Sequence, residues 1–206
     1  MKKKIFITGI GTDVGKTVVS AIFCEALKAD YWKPIQAGDA TIGDRGTIQN
    51  LISNDKTVIH FNSWTLTSAM SPHAAADIDG VKILSANIQP PNTNNHLVIE
   101  GAGGLLVPIN ETETIMDLIK KDYHVIVVAQ HYLGSINHTL LTVKLLQQQG
   151  YKVSIIFNGN KNSGTEDIIQ SMTRVHIIGR INQENKVNAK IISEYACLLE
   201  PQLRVL

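Results

Sequence analysis

Residues 4–17 constrain this chain most. Lys4-Ile5-Phe6-Ile7-Thr8 is a short apolar, β-branched run. Gly9, Gly11 and Gly15 punctuate the next seven positions, and Gly15-Lys16-Thr17 leads into Val18, Ala21, Ile22, Cys24, Ala26 and Leu27 at helical spacing. The first run reads as a buried strand and the last as a helix. Glycines let backbone N–H groups approach phosphate oxygens with no Cβ in the way. A helix start adds unpaired N–H groups and the positive end of a dipole. The segment therefore predicts a cradle for a nucleotide triphosphate, with Lys16 reaching the β- and γ-phosphates and the Thr17 hydroxyl on Mg²⁺. The usual spacing places four residues between the glycines, whereas residues 10–14 put five between Gly9 and Gly15. The competing reading is a strand–turn–helix corner with a chance Gly-Lys-Thr. It is the weaker one, because strand, loop and helix all fall where the motif needs them.

Composition narrows the partners. The 206 residues are 44% apolar and carry 19 basic against 18 acidic side chains, a net charge of +1. That length and apolar share fit a single folded domain, 1–206, with a real core. Beyond Lys2-Lys3-Lys4 there is no basic run, which argues against a nucleic-acid partner. No apolar run approaches the length of a membrane span, and the glycine-broken N-terminus does not read as a signal peptide. Cys24 and Cys197 both lie in apolar helical patterns and read as buried thiols, which fits the cytoplasm.

Strand-like runs at 4–8, 31–33, 57–61, 97–100, 125–129, 153–157 and 175–178 alternate with helical patterns at 17–28, 45–52, 81–87, 115–121, 136–149, 166–172 and 189–199. This alternation predicts an α/β fold, a mainly parallel sheet with helices on both faces, of the P-loop NTPase type. Right-handed crossovers put the loops after the strands on one edge, where ligands bind in such sheets. Glu100 ends an apolar strand there and precedes Gly101-Ala102-Gly103-Gly104. A carboxylate so placed needs a partner to stay charged, and Mg²⁺ beside Thr17 supplies one. A capping Glu before a flexible loop is the alternative. Lys33-Pro34 aims a cation at the same edge and can stabilise a transferring phosphoryl group, or else lie solvated. Asp44 is either a second metal carboxylate or a helix cap after Gly43. The helix start at Leu133-Gly134-Ser135-Ile136-Asn137-His138 is an anion site, or Ser135 is simply its cap. Ser71-Pro72-His73 reads as loop, and the histidines have no metal-ligand spacing.

Together these pieces resemble the dethiobiotin synthetase family over residues 5–181. The carriers are Thr8-Gly9, Asp13-Val14-Gly15-Lys16-Thr17, Lys33-Pro34, Ser71-Pro72-His73, Val98-Ile99-Glu100-Gly101-Ala102-Gly103-Gly104 and Leu133-Gly134-Ser135-Ile136-Asn137-His138. The family's loop also has five residues between its glycines. The resemblance implies an ATP- and Mg²⁺-dependent ligase acting on 7,8-diaminononanoate and CO₂ or bicarbonate. An amine captures CO₂ as a carbamate, ATP phosphorylates it, and the second amine closes the ureido ring. By the same resemblance Gly11, Thr12, Asp13, Val14, Gly15, Lys16, Thr17 and Gly103 surround the nucleotide, and Asn158 reads its base. Thr17, Asp44 and Glu100 hold Mg²⁺, while Lys16, Lys33 and Thr12 serve the chemistry. Gly134, Ser135 and Asn137 bind the substrate's distal carboxylate across a homodimer interface. The chain departs from the family at Ala37, where a hydroxyl is usual, and at Gly159, where an acid commonly follows the Asn.

Three other readings share parts of this pattern. A partitioning or metallochaperone-type switch ATPase often carries a second lysine where this chain has Gly11. An amidating synthetase domain of cobalamin assembly normally brings a further glutamine-handling domain. A non-catalytic nucleotide-binding module has no need of Lys16, Thr17 and Glu100 together.

Overall fold

The computed structural model describes residues 2–39 and 41–206. Eight strands and six helices alternate along them: β1 (Lys4–Gly9), α1 (Lys16–Leu27), β2 (Asp30–Trp32), β3 (Ile35–Ala37), α2 (Gly43–Leu51), β4 (Trp64–Leu66), α3 (Pro72–Ile78), β5 (Leu97–Gly104), β6 (His124–Gln130), α4 (Ser135–Gln148), β7 (Lys152–Asn158), α5 (Ser163–Thr173), β8 (His176–Ile181) and α6 (Ala189–Arg204). Six strands form one parallel sheet in the order β2-β5-β1-β6-β7-β8, and β3 with β4 forms a two-stranded parallel pair. The parallel sheet expected from the alternation is present.

β1 is central because it is apolar on both faces: Ile5, Phe6 and Ile7 are fully buried, as are Val125 to Val128 on β6 beside it. That is the signature of a strand covered by helices above and below. Fully burying each such side chain stabilises the fold by roughly 1.5–3 kcal/mol before entropy is counted. The strand order reverses at β1, so its C-terminal end opens a crevice between β5 and β6.

Several local expectations differ from the structure. Residues 57–61 do not form a strand of the sheet; one parallel bridge joins Ile59 to Tyr31, and Val58 and Phe61 are exposed. β2 is only three residues long, so there is little edge to pair with. The pattern at 81–87 reduces to a 3₁₀ turn over Ser85–Asn87, and that at 115–121 to a 3₁₀ turn over Ile115–Leu118. Ser71-Pro72-His73 is not loop throughout, since Pro72 begins α3. Cys24 is buried, but Cys197 is exposed.

Two polar ties make the fold acid-sensitive. Glu25 on α1 accepts hydrogen bonds from the Ser53 and Asn54 backbone N–H groups at 2.8 and 3.1 Å, and from Ser53 Oγ and Asn54 Nδ2 at 3.0 Å. Burial alone raises its pKa, but the Asn54 and Ser53 donors outweigh this and hold the carboxyl at about 2. The folded value lies below the ordinary 4.5, so this stabilisation is present above pH 4.5 and is lost as pH falls toward 2. Burial likewise pushes His124 down to about 4, with Lys152 adding to it. The unfolded chain takes that proton first, so stability also drops as pH falls from 6.5 to about 4. In urea unfolding across a pH series, Glu25→Gln is expected to flatten the lower window and His124→Gln the upper. An unaltered slope in either variant would assign that window to other groups.

Candidate active site

The phosphate loop connects β1 to α1. Its last residue, Gly15, has φ +95°, in the left-handed region that glycine adopts at little cost. An added Cβ there would lie 2.3 Å from Asn158 Nδ2, so a side chain would displace Asn158 as well as strain the backbone. Asn158 closes the loop from behind, donating from Nδ2 to the Val14 carbonyl at 2.9 Å. α1 then starts at Lys16 without a side-chain cap. Its first N–H groups have no intrahelical acceptors and are available to an anion.

A cavity of about 810 Å³ opens over this helix start. Thr12, Asp13, Gly15, Lys16 and Thr17 line one side, Lys33 and Asp44 another, and Glu100 and Gly103 the floor beyond. Ser71 and Pro72 from the start of α3 close the rim. The expected loop, lysines and acids are thus in one place, although Lys33 and Glu100 are 67 residues apart.

Sheet register explains that convergence. Tyr31 and Trp32 of β2 lie opposite Val98 and Ile99 of β5, so one further step sets Lys33 beside Glu100. Lys33 Nζ lies 3.4 Å from Glu100 Oε1 and forms a closer ion pair with Asp44 Oδ2. Burial lowers the Lys33 pKa, but Glu100 and Asp44 outweigh it, and the ammonium ends above its ordinary value. The Thr17 hydroxyl sits 2.9 Å from Glu100 Oε1 and 3.0 Å from Asp44 Oδ1, one proton for two carboxylates. Asp44 occupies the first turn of α2, and its N–H donates to Gln36 Oε1 at 3.4 Å.

Lys16 is in the opposite electrostatic situation. Its Nζ donates to the Gly11 carbonyl at 3.0 Å, with no carboxylate in bonding range among the described residues. Burial lowers its pKa, with Glu100 and Asp44 pulling the other way and Lys33 adding to the lowering. A triphosphate entering the cavity would favour the charged form. One hydroxyl and two carboxylates are hard oxygen donors on one edge, a set that fits Mg²⁺. Among the described residues no group of three His, Cys, Asp and Glu side chains forms a separate metal cluster.

The residues at the start of α4 lie elsewhere. Gly134, Ser135 and Asn137 do not line the 810 Å³ cavity. They line a separate pocket with His131 and Tyr132, and Asn137 also lines a groove with Gly11 and Thr12. Three contributors escaped sequence reasoning: Ser20, Tyr31 and Gln36. Tyr31 OH donates to Glu100 Oε2 at 3.0 Å, and Ser20 Oγ lies 2.8 Å from the same oxygen. Their signal was positional, Ser20 one turn beyond Lys16 on α1 and Tyr31 two residues before Lys33 on β2.

Fold and site define a P-loop nucleotide-binding α/β protein. Solved structures of the same fold include a plasmid partition protein of Borrelia burgdorferi B31 bound to AMPPNP, with a TM-score of 0.62 at 14% identity over 100% of this chain and 99% of that one. The MinD cell division protein of Aquifex aeolicus gives 0.52 at 14% identity, covering 98% and 95%. A family model described as an AAA domain matches residues 3–190. Among curated proteins, the ATP-dependent dethiobiotin synthetase BioD of Christiangramia forsetii is 53% identical over 95% of both chains. That of Cytophaga hutchinsonii is 48% identical over 96% of this chain and 97% of its own. This chain belongs to the ATP-dependent dethiobiotin synthetase family.

Proposed function

We propose that the chain converts 7,8-diaminononanoate, CO₂ and ATP to dethiobiotin, ADP and phosphate, as a cytoplasmic homodimer. Family membership is joined by one observation: Lys33, Thr17, Asp44 and Glu100 meet at the end of the cavity that Lys16 and the phosphate loop enter. In this reading a substrate amine adds to CO₂, losing a proton, to give a carbamate. A carbamate oxygen attacks the γ-phosphorus and ADP leaves. The second amine attacks the carbonyl carbon, closing the ring, and phosphate leaves.

Little of this needs covalent help from the protein, so its work is positioning and charge stabilisation. Lys16 follows the β- and γ-phosphates, and Lys33 bridges carbamate and γ-phosphoryl as charge moves between them. Thr12 and Asp13 face the diamine and phosphates. Gly11, Val14 and Gly15 shape the loop, Gly103 borders the phosphates, and Asn158 meets the base. Thr17, Asp44 and Glu100 hold Mg²⁺, which when bound neutralises charge on the phosphates. Gly134, Ser135 and Asn137 serve the distal carboxylate in the site of the second protomer. That they line a pocket other than this chain's own cavity supports that role, as do Leu106 and Leu141, which stand exposed on the groove of about 910 Å³ that Asn137 shares with Gly11 and Thr12.

The test is incubation with diaminononanoate, bicarbonate and Mg²⁺–ATP, followed by mass detection. Dethiobiotin matching ADP released is expected. ATP hydrolysis with no ring product would favour a switch ATPase.

A further inference from the structure

The two oxygens of Glu100 are held by different donors. Oε1, on the cavity side, lies near Thr17 Oγ1 and Lys33 Nζ at 2.9 and 3.4 Å. Oε2 lies near Ser20 Oγ and Tyr31 OH at 2.8 and 3.0 Å. These donors are not equally committed. The Ser20 proton has a second acceptor in the Lys16 carbonyl at 2.9 Å, and the Thr17 proton is shared with Asp44. The Tyr31 phenol is fully buried, and Glu100 is its single hydrogen-bond partner among the described residues. Losing that bond would leave a buried hydroxyl unpaired, so the contact is costly to break.

The fold puts Tyr31 there for the reason it puts Lys33 there. Side chains two apart on a strand share a face, so Tyr31 and Lys33 reach Glu100 from the same side of β2. Tyr31 sits two residues deeper, opposite Val98. It therefore meets the rear oxygen of Glu100, while Lys33 meets the front one.

We propose that Tyr31 is a positioning residue that ties back Oε2 of Glu100, so that the carboxylate turns Oε1 alone toward the divalent ion. The proposal rests on the reading that Glu100 holds Mg²⁺. Groups that orient metal ligands typically carry about 10- to 100-fold in metal affinity.

The experiment titrates Mg²⁺ into the full-length protein saturated with ADP, read by calorimetry. Tyr31→Phe keeps the ring and removes the donor. It is expected to raise the Mg²⁺ dissociation constant about 10-fold, with ADP affinity in EDTA unchanged. Ser20→Ala, whose hydroxyl is only part-committed, is expected to shift it less. An unchanged Mg²⁺ constant in Tyr31→Phe, with or without a lower melting temperature, would make the phenol a packing group and overturn the proposal. Should that variant fail to fold, 4-fluorophenylalanine at position 31 refills the volume without a donor and is judged by the same shift. Glu100→Gln separates the layers. If it weakens Mg²⁺ binding while Tyr31→Phe does not, only the tie is wrong. If it leaves Mg²⁺ binding intact, the metal assignment falls and the tie with it.

Discussion

Lys16→Ala is expected to lower turnover by about 100-fold or more, the usual loss when a charge contact made in the transition state is removed. Lys16 is 7% exposed and, among the described residues, its ammonium donates only to the Gly11 carbonyl. Burial already disfavours its charged form. A cation kept in such a place contributes little to the fold, so the melting temperature of the free protein should hardly fall. In the proposed reaction its charge acts on the β- and γ-phosphates. Steady-state release of ADP and dethiobiotin, beside a thermal melt, separates the two effects. Turnover within a few-fold of the parent protein would remove Lys16 from the mechanism.

Lys33→Ala is expected to lose a similar roughly 100-fold in turnover, but by a different balance. Lys33 neutralises Asp44 and Glu100 together, and those carboxylates raise its pKa against the effect of burial. Removing one member of a buried charge cluster leaves the others uncompensated, which typically costs about 3–5 kcal/mol. The melting temperature in EDTA should therefore drop. Mg²⁺ with ADP should restore much of it, because the same two acids then face a divalent ion. Turnover should stay low even at saturating Mg²⁺. Recovery of activity together with stability would mean that Lys33 only balances charge and takes no part in phosphoryl transfer.

The contrast between the two lysines also marks what the sequence could reveal. The loop was legible because its constraint is local: Gly15 needs a left-handed backbone and no Cβ, and Lys16-Thr17 must open a helix. Glu100 was legible because an acid at the end of an apolar strand is expensive without a partner. The central strands were legible because burial on both faces leaves unbroken apolar runs. Tyr31 was hidden, since nothing in its neighbours says which of 206 side chains it will meet. Only the pairing of β2 with β5 brings it to Glu100. The short pair β3 and β4 was hidden for a related reason: three residues each give no period to read. Residues 57–61 misled in the other direction, with strand composition but only a three-residue edge to join. Ser71-Pro72 carries a usable signal that a loop reading ignores, because proline at the first helical position after a serine is a common helix start.

The most direct measurement is a crystal structure of the protein with Mg²⁺ and a non-hydrolysable ATP analogue. The β- and γ-phosphates are expected in the cradle of N–H groups from residues 11–17, with Lys16 against them. Mg²⁺ is expected about 2.1 Å from the Thr17 hydroxyl and from an oxygen of Glu100. A nucleotide lying in that loop with its ion remote from Glu100, or a nucleotide seated elsewhere on the molecule, would contradict the shared triphosphate and metal site.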